Sequence, residues 1–251
     1  MSAATAGADM TKGIYAMVIG LAALAGAGAM FALQATGQVA SDPEKARIEA
    51  IVRDYILEHP EIIPEAIERL RARELAKVVD ANRKAIETPF AGAWAGNPEG
   101  DVTVVEFFDY ACGFCRQSLA DVNRLIAEDK GVKVVFRELP VLSEESEVAA
   151  RASLAAAEQG KFVAFHDALY EAGRPGAETI RIANAKAGID TTRATAAMRT
   201  DRVETEIADN LALARQLGAT GTPTWVVGDQ VLNGAVGYEA LKKAVAEARA
   251  K

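Results

Sequence analysis

The chain predicts an α/β fold built around a parallel strand pair, and three observations carry that expectation. An apolar run, Val102 to Phe108, leads into Cys112-Gly113-Phe114-Cys115, and a helical spacing of apolar residues follows over about 115–128. A second strand-like run, Lys133 to Glu138, comes next, and two strands joined by a helix make a βαβ unit with a parallel pair. Much later, Gly221-Thr222-Pro223-Thr224 opens a third run, Trp225 to Val227. Proline cannot donate to a central ladder, so Pro223 must head its strand, and a cis Thr222–Pro223 bond fits there.

The elements follow in chain order. Ile14 to Leu33 is a stretch of 20 residues without a charge. At about 1.5 Å per residue it spans the roughly 30 Å hydrocarbon core of a bilayer. Two readings fit it. An uncleaved anchor explains the length and the small-residue spacings Ala22/Gly26 and Ala25/Ala29, with Lys12 as the flanking charge. A cleaved signal peptide is suggested by Ala35-Thr36-Gly37. No cysteine lies nearby, which excludes a lipoprotein anchor. Asp42 then reads as an N-cap with Pro43 at the first helical position. Ile48, Ile51, Val52, Tyr55 and Ile56 make one apolar stripe, which His59-Pro60 interrupts. A second helix is expected from near Pro64, with Ile63, Ala66, Ile67 and Leu70 on one face and Leu75, Val78, Val79 and Ile86 further on. These stripes either lie on their own domain or pair with copies of themselves. The spacing of Ile63, Ile67 and Leu70 is seam-like, and Glu74 interrupts it.

Thr88 to Gly100, with two prolines and three glycines, reads as a linker. Beyond the strand–helix–strand unit, about 143–217 is helical in pattern, broken at Gly160, at Gly173 to Gly176 and at Gly188 to Asp190. After the third strand the chain turns at Gly228-Asp229 into Val231-Leu232, and Tyr238 to Ala250 closes as a helix. With 251 residues, 50% of them hydrophobic, the chain can bury one full core and carry appendages. A net charge of −7 with no basic stripe excludes a nucleic-acid partner.

Cys112 and Cys115 are the only cysteines. The strand–CxxC–helix order puts Cys112 at a helix N-terminus, where free N–H groups and the helix dipole favour a thiolate. Cys115 lies one turn further in, so the pair can cycle between dithiol and disulfide by exchange. A zinc site needs about four ligands, and the chain adds only His59 and His166. A purely structural disulfide this short would constrain almost no loop entropy. Glu106, six residues before Cys112, sits on a strand too apolar to bury an idle carboxylate; the other reading is an acid reaching solvent at a sheet edge. From their position, Cys112 is expected to be the exposed nucleophile, Cys115 the resolving thiol and Glu106 the group that moves the Cys115 proton. Pro223 has no N–H, and wherever its turn meets the cysteines the Thr222 backbone can pair with a substrate strand. Gly113 and Phe114 complete the expected substrate surface, Phe114 as an exposed apolar lip for unfolded clients. Trp225 is expected in the core, and His166 as a packed surface residue rather than a catalytic one.

Taken together, Val105-Glu106-Phe107-Phe108-Asp109-Tyr110-Ala111-Cys112-Gly113-Phe114-Cys115 and Thr222-Pro223 resemble the DsbA family of thioredoxin-fold proteins over about residues 90–251. The resemblance implies a thioredoxin fold with a helical insertion at about 143–217, a buried acid at Glu106 and a cis-proline loop facing the cysteines. The helix, His59-Pro60-Glu61 and Ile-rich helix are similar to the N-terminal region of ScsC-like members, some of which oligomerise through it. The domain plan expected is therefore a membrane anchor or signal segment over 1–40, a helical stalk over 41–88 and the DsbA-like domain over 89–251.

The function this implies is an extracytoplasmic, periplasmic thiol–disulfide oxidoreductase, tethered to the inner membrane or released, that forms or isomerises disulfides in exported proteins. Its partners would be unfolded or misoxidised clients, a redox protein that resets the pair and copies of itself, a trimer by resemblance; no cofactor or metal is expected. Strong oxidants of the family carry Pro-His between the cysteines where this chain has Gly113-Phe114. Without that histidine the expected potential is roughly −200 mV rather than roughly −120 mV. The alternatives are a chaperone-like binder with a vestigial CxxC and a metal-handling protein.

Overall fold

A computed structural model describes residues 43–250. The segments 1–42, which include Ile14 to Leu33 and the Asp42 cap, lie outside the described residues. Among those described, no helix is long and apolar enough to cross a membrane.

Helix α1 is Pro43–Glu58 and carries no buried residue. A turn at His59 follows, its N–H donating to the Tyr55 carbonyl at 2.9 Å. Helix α2, Ile62–Glu87, starts slightly before Pro64, which sits in its first turn where a missing N–H costs nothing. The chain divides into two compact units inside this helix, at Ala66/Ile67. In the second unit, Val79 and Ile86 of α2 are fully buried, so this end of the helix belongs to the core of the larger domain.

The expected linker contains a strand. Trp94–Gly96 forms β1, pairing antiparallel with β3 (Val132–Glu138). Three residues between a glycine and Asn97-Pro98 are too short to show a strand period; the unpaired edge of β3 organises them. Strands β2 (Val102–Phe108) and β3 are parallel and are joined by α3 (Gly113–Glu128). Strand β4 (Thr224–Val227) lies antiparallel on the other side of β2, and β5 (Gln230–Asn233) closes the edge. The sheet order is β1-β3-β2-β4-β5. The middle strands read as apolar runs because both faces are covered. Val104, Phe108, Val134, Phe136, Trp225 and Val227 face one core. Val105, Phe107, Val135 and Val226 face the other, with Val79, Ile86, Leu213 and Leu217.

Between β3 and β4 the expected helical insertion runs as α4 (Glu144–Ala157), α5 (Phe162–Ala172), α6 (Ala177–Ala187), α7 (Thr191–Ala197) and α8 (Asp201–Gln216). The breaks fall at the glycine sites, with one more before Thr200, whose hydroxyl caps α8 by accepting from the Val203 N–H. Helix α9, Tyr238–Arg249, ends the described chain.

Buried Arg137 ties three elements together. It pairs with Glu206 of α8 at 2.7 Å, donates to Asn210 Oδ1 at 3.1 Å, and caps the end of α2 by donating to the carbonyls of Ala85, Ile86 and Thr88. A helix end left without such partners would strand its last carbonyls.

Candidate active site

Helix α3 begins at Gly113, earlier than its apolar spacing suggested, because Cys112 is its N-cap. Cys112 Sγ accepts from the Cys115 N–H at 3.4 Å. The Cys112 thiol donates to the Thr222 carbonyl at 3.2 Å, across a sequence separation of 110 residues. The Thr222–Pro223 bond is cis. The helix tip and the turn that leads into β4 thus meet at one sulfur.

Two expectations need correction. Cys112 is only 7% exposed, not open, because the Thr222 turn lies on it. His166 is buried, not on the surface. It sits among the rings of Phe108, Phe136, Phe162, Tyr110 and Tyr170, and its Nδ1 is 3.1 Å from the Tyr110 hydroxyl. The signal was legible: Phe162, Phe165, His166 and Leu169 are one helical stripe and are all buried. Burial lowers its pKa to about 3, so it stays neutral.

Both cysteines are free thiols. Cys115 is buried, and burial first, then the charge of Glu106, push its pKa up; a backbone hydrogen bond from Asp109 opposes them in part. Glu106 lies mid-strand on central β2, not at a sheet edge, and is 4% exposed. Its place in the strand alternation puts it on the face of Val104 and Phe108. Burial, with a smaller contribution from the charge of Cys112, raises its pKa to about 8. A carboxyl that titrates near neutrality beside a thiol reluctant to ionise can act as a proton donor and acceptor. Phe114 is 63% exposed. A Cβ at Gly113 would meet nothing within 4 Å, so sterics do not demand glycine there. Trp225 is fully buried.

Some of the surroundings were invisible in the sequence. The Asp109 carbonyl accepts from the Cys112 N–H at 3.0 Å and from the Tyr170 hydroxyl at 3.2 Å. The Tyr110 hydroxyl also meets Ser153 Oγ at 2.8 Å. Glu138 is buried, which pushes its pKa well up, and its Oε1 has no partner among the described residues. Among the described residues no group of three or more His, Cys, Asp or Glu could hold a metal ion.

Residues 103–246 match the family model described as the DSBA-like thioredoxin domain. The chain belongs to this family. Residues 44–77 match the model described as the copper resistance protein ScsC N-terminal domain. Among solved structures, a thioredoxin-like oxidoreductase from Silicibacter pomeroyi is 44% identical with a TM-score of 0.64, covering 68% of this chain and 99% of that one. A linker-deletion variant of Proteus mirabilis ScsC is 27% identical with a TM-score of 0.65, covering 85% of this chain and 99% of that one. The chain is also 34% identical, over 158 residues and 61% of its length, to the Salinispora tropica protein named Na(+)/H(+) antiporter NhaA 3. It spans only 24% of that relative. The DSBA-like domain and the DsbA and ScsC structural neighbours support a thiol–disulfide oxidoreductase activity.

Proposed function

We propose that this oxidoreductase exchanges disulfides with cysteine-bearing exported proteins in the periplasm, with Cys112 as the attacking sulfur, Cys115 as the resolving one and Glu106 as their proton carrier. The observation that supports it most is the contact of Cys112 Sγ with the Thr222 carbonyl at 3.2 Å, with Cys115 and Glu106 buried behind. In the oxidising direction, a client thiolate attacks Cys112 Sγ and the Cys112–Cys115 bond breaks. Cys115 leaves and takes the proton of Glu106. A second client thiolate then attacks the client sulfur, closing the client disulfide and releasing Cys112 as the thiolate. In the isomerising direction, Cys112 thiolate attacks a wrong client disulfide. A second client thiolate then displaces Cys112, or Cys115 does so after giving its proton to Glu106. The Thr222 carbonyl, freed from the Cys112 thiol, offers an acceptor to the backbone of an extended client segment.

Gly113-Phe114 places no histidine where it could donate to the Cys112 thiolate, which favours the isomerising or reducing direction. A glutathione redox titration tests this: a potential near roughly −200 mV is expected, and one above about −140 mV overturns the preference. Attachment to the membrane through Ile14 to Leu33, a separate partner that resets the pair and self-association through the N-terminal helices belong to the same proposal. What supports self-association is the match of residues 44–77 to the ScsC N-terminal domain and the exposed apolar stripe of α1.

A further inference from the structure

Asp109 is 1% exposed, and its side chain accepts three backbone N–H groups. Oδ1 takes the Ala111 N–H at 2.7 Å; Oδ2 takes those of Val141 and Leu142, each at 2.9 Å. One carboxyl therefore joins the loop that leads into Cys112 to the turn that leaves β3. The last rung of the parallel ladder is the Leu139 N–H on the Phe108 carbonyl at 2.8 Å. Pro140 then has no N–H, and the next two donors both go to Asp109. Ser143 caps α4 directly after, accepting from the Ser146 N–H at 3.2 Å. The turn is held at both ends, yet Val141 and Leu142 are 51% and 53% exposed. Two half-exposed aliphatic residues on a fixed backbone have no evident use in the domain's own core.

We propose that Val141 and Leu142 form a specificity lip that takes apolar residues flanking the reacting cysteine of an extended client, and that Asp109 is the residue that positions this lip beside Cys112. This rests on the reading of Cys112 as the attacking sulfur. The occupant follows from the chemistry: a client joined to Cys112 by a disulfide must lay its neighbouring residues past the loop that Asp109 ties to the turn. That turn presents no charge from Leu139 to Ser143, so it rewards aliphatic or aromatic flanks and gives nothing to polar ones.

The test uses the oxidised protein and two reduced cysteine peptides that differ only in carrying leucine or serine beside the cysteine. The wild type should react faster with the leucine peptide by about tenfold, the ratio that partial burial of one leucine side chain gives. The double change Val141→Ser/Leu142→Ser, at exposed positions that the fold tolerates, should bring the ratio close to unity. Asp109→Asn should do the same, because its amide would turn an N–H toward a backbone N–H. A purely structural defect would lower both rates and keep their ratio. An unchanged ratio in the double variant overturns the lip, and an unchanged ratio in a folded Asp109→Asn overturns the positioning role. If Asp109→Asn does not fold, the double variant decides alone. Failure of the underlying reading looks different: the wild type would react with neither peptide, and the proposal would fall with it.

Discussion

The proton-carrying role proposed for Glu106 would come at a cost to the fold, because the carboxyl is buried. Its carboxyl titrates at about 8 when folded, against 4.5 in its ordinary state. Between those values the folded chain holds a proton that the unfolded chain has lost, so stability falls as pH rises through this window. At pH 7 the deficit is up to roughly 3 kcal/mol. Glu106→Gln should therefore raise the urea midpoint at pH 7 and flatten its dependence above pH 5. The same variant should slow resolution of the mixed disulfide by on the order of 100-fold, the usual range for losing a general acid–base group. Wild-type resolution should also change with a midpoint near pH 8 that the variant lacks. Stopped-flow traces with equal pH profiles for the two proteins would sink the role. Cys112→Ala should leave no exchange at all, measured as oxidation of a small dithiol.

At the scale of elements, the two halves of α2 answer to different causes. Val79 and Ile86 are buried and Arg137 caps the helix end, so the far half is part of the domain. Arg137→Leu leaves Glu206 and the last α2 carbonyls without their donor. It should cost about 3–5 kcal/mol in urea unfolding, with amide exchange accelerated over residues 79–87. The near half and α1 carry Ile48, Ile51, Val52, Tyr55, Ile63, Ile67 and Leu70 exposed. If these stripes pair with copies of themselves, the soluble protein from Ser41 should be oligomeric by light scattering, a trimer by family resemblance. Removal of residues 43–66 should then leave a monomer that still oxidises dithiols but shuffles scrambled disulfides poorly. A truncation at residue 88 would instead strip Val79 and Ile86 from the core and confuse the result. A monomer before truncation defeats the assembly reading.

For the whole molecule, the buried titrating groups set how stability varies with pH. His166, lowered to about 3 from 6.5, is neutral when folded and charged when unfolded below 6.5, so stability rises with pH up to 6.5. Glu106 and Glu138, both raised, act with the opposite sign from 4.5 upward. Below 6.5 the histidine offsets part of their effect; above it nothing in this set does. The surface acids Asp101 and Asp129, lowered by hydrogen bonds to Arg249, matter only below their ordinary values near 3.8. The unfolding temperature should therefore drop between pH 6.5 and 8, and calorimetry that finds it rising there would contradict this balance.

Features that leave a local signature can be read from the chain alone. The CxxC before a helix, the acid six residues ahead of it, the proline heading β4 and the glycine breaks of the insertion can each be read from neighbouring residues. Tertiary structure decided the rest, because the partners are far apart in the chain. The Thr222 carbonyl covers Cys112, Arg137 reaches α2 and α8, and Asp109 gathers N–H groups from two loops. β1 exists only because β3 offers it an edge. No spacing rule anticipates such pairs. An unpaired buried polar group is costly wherever it falls, and which distant residue satisfies it is settled only when the elements pack.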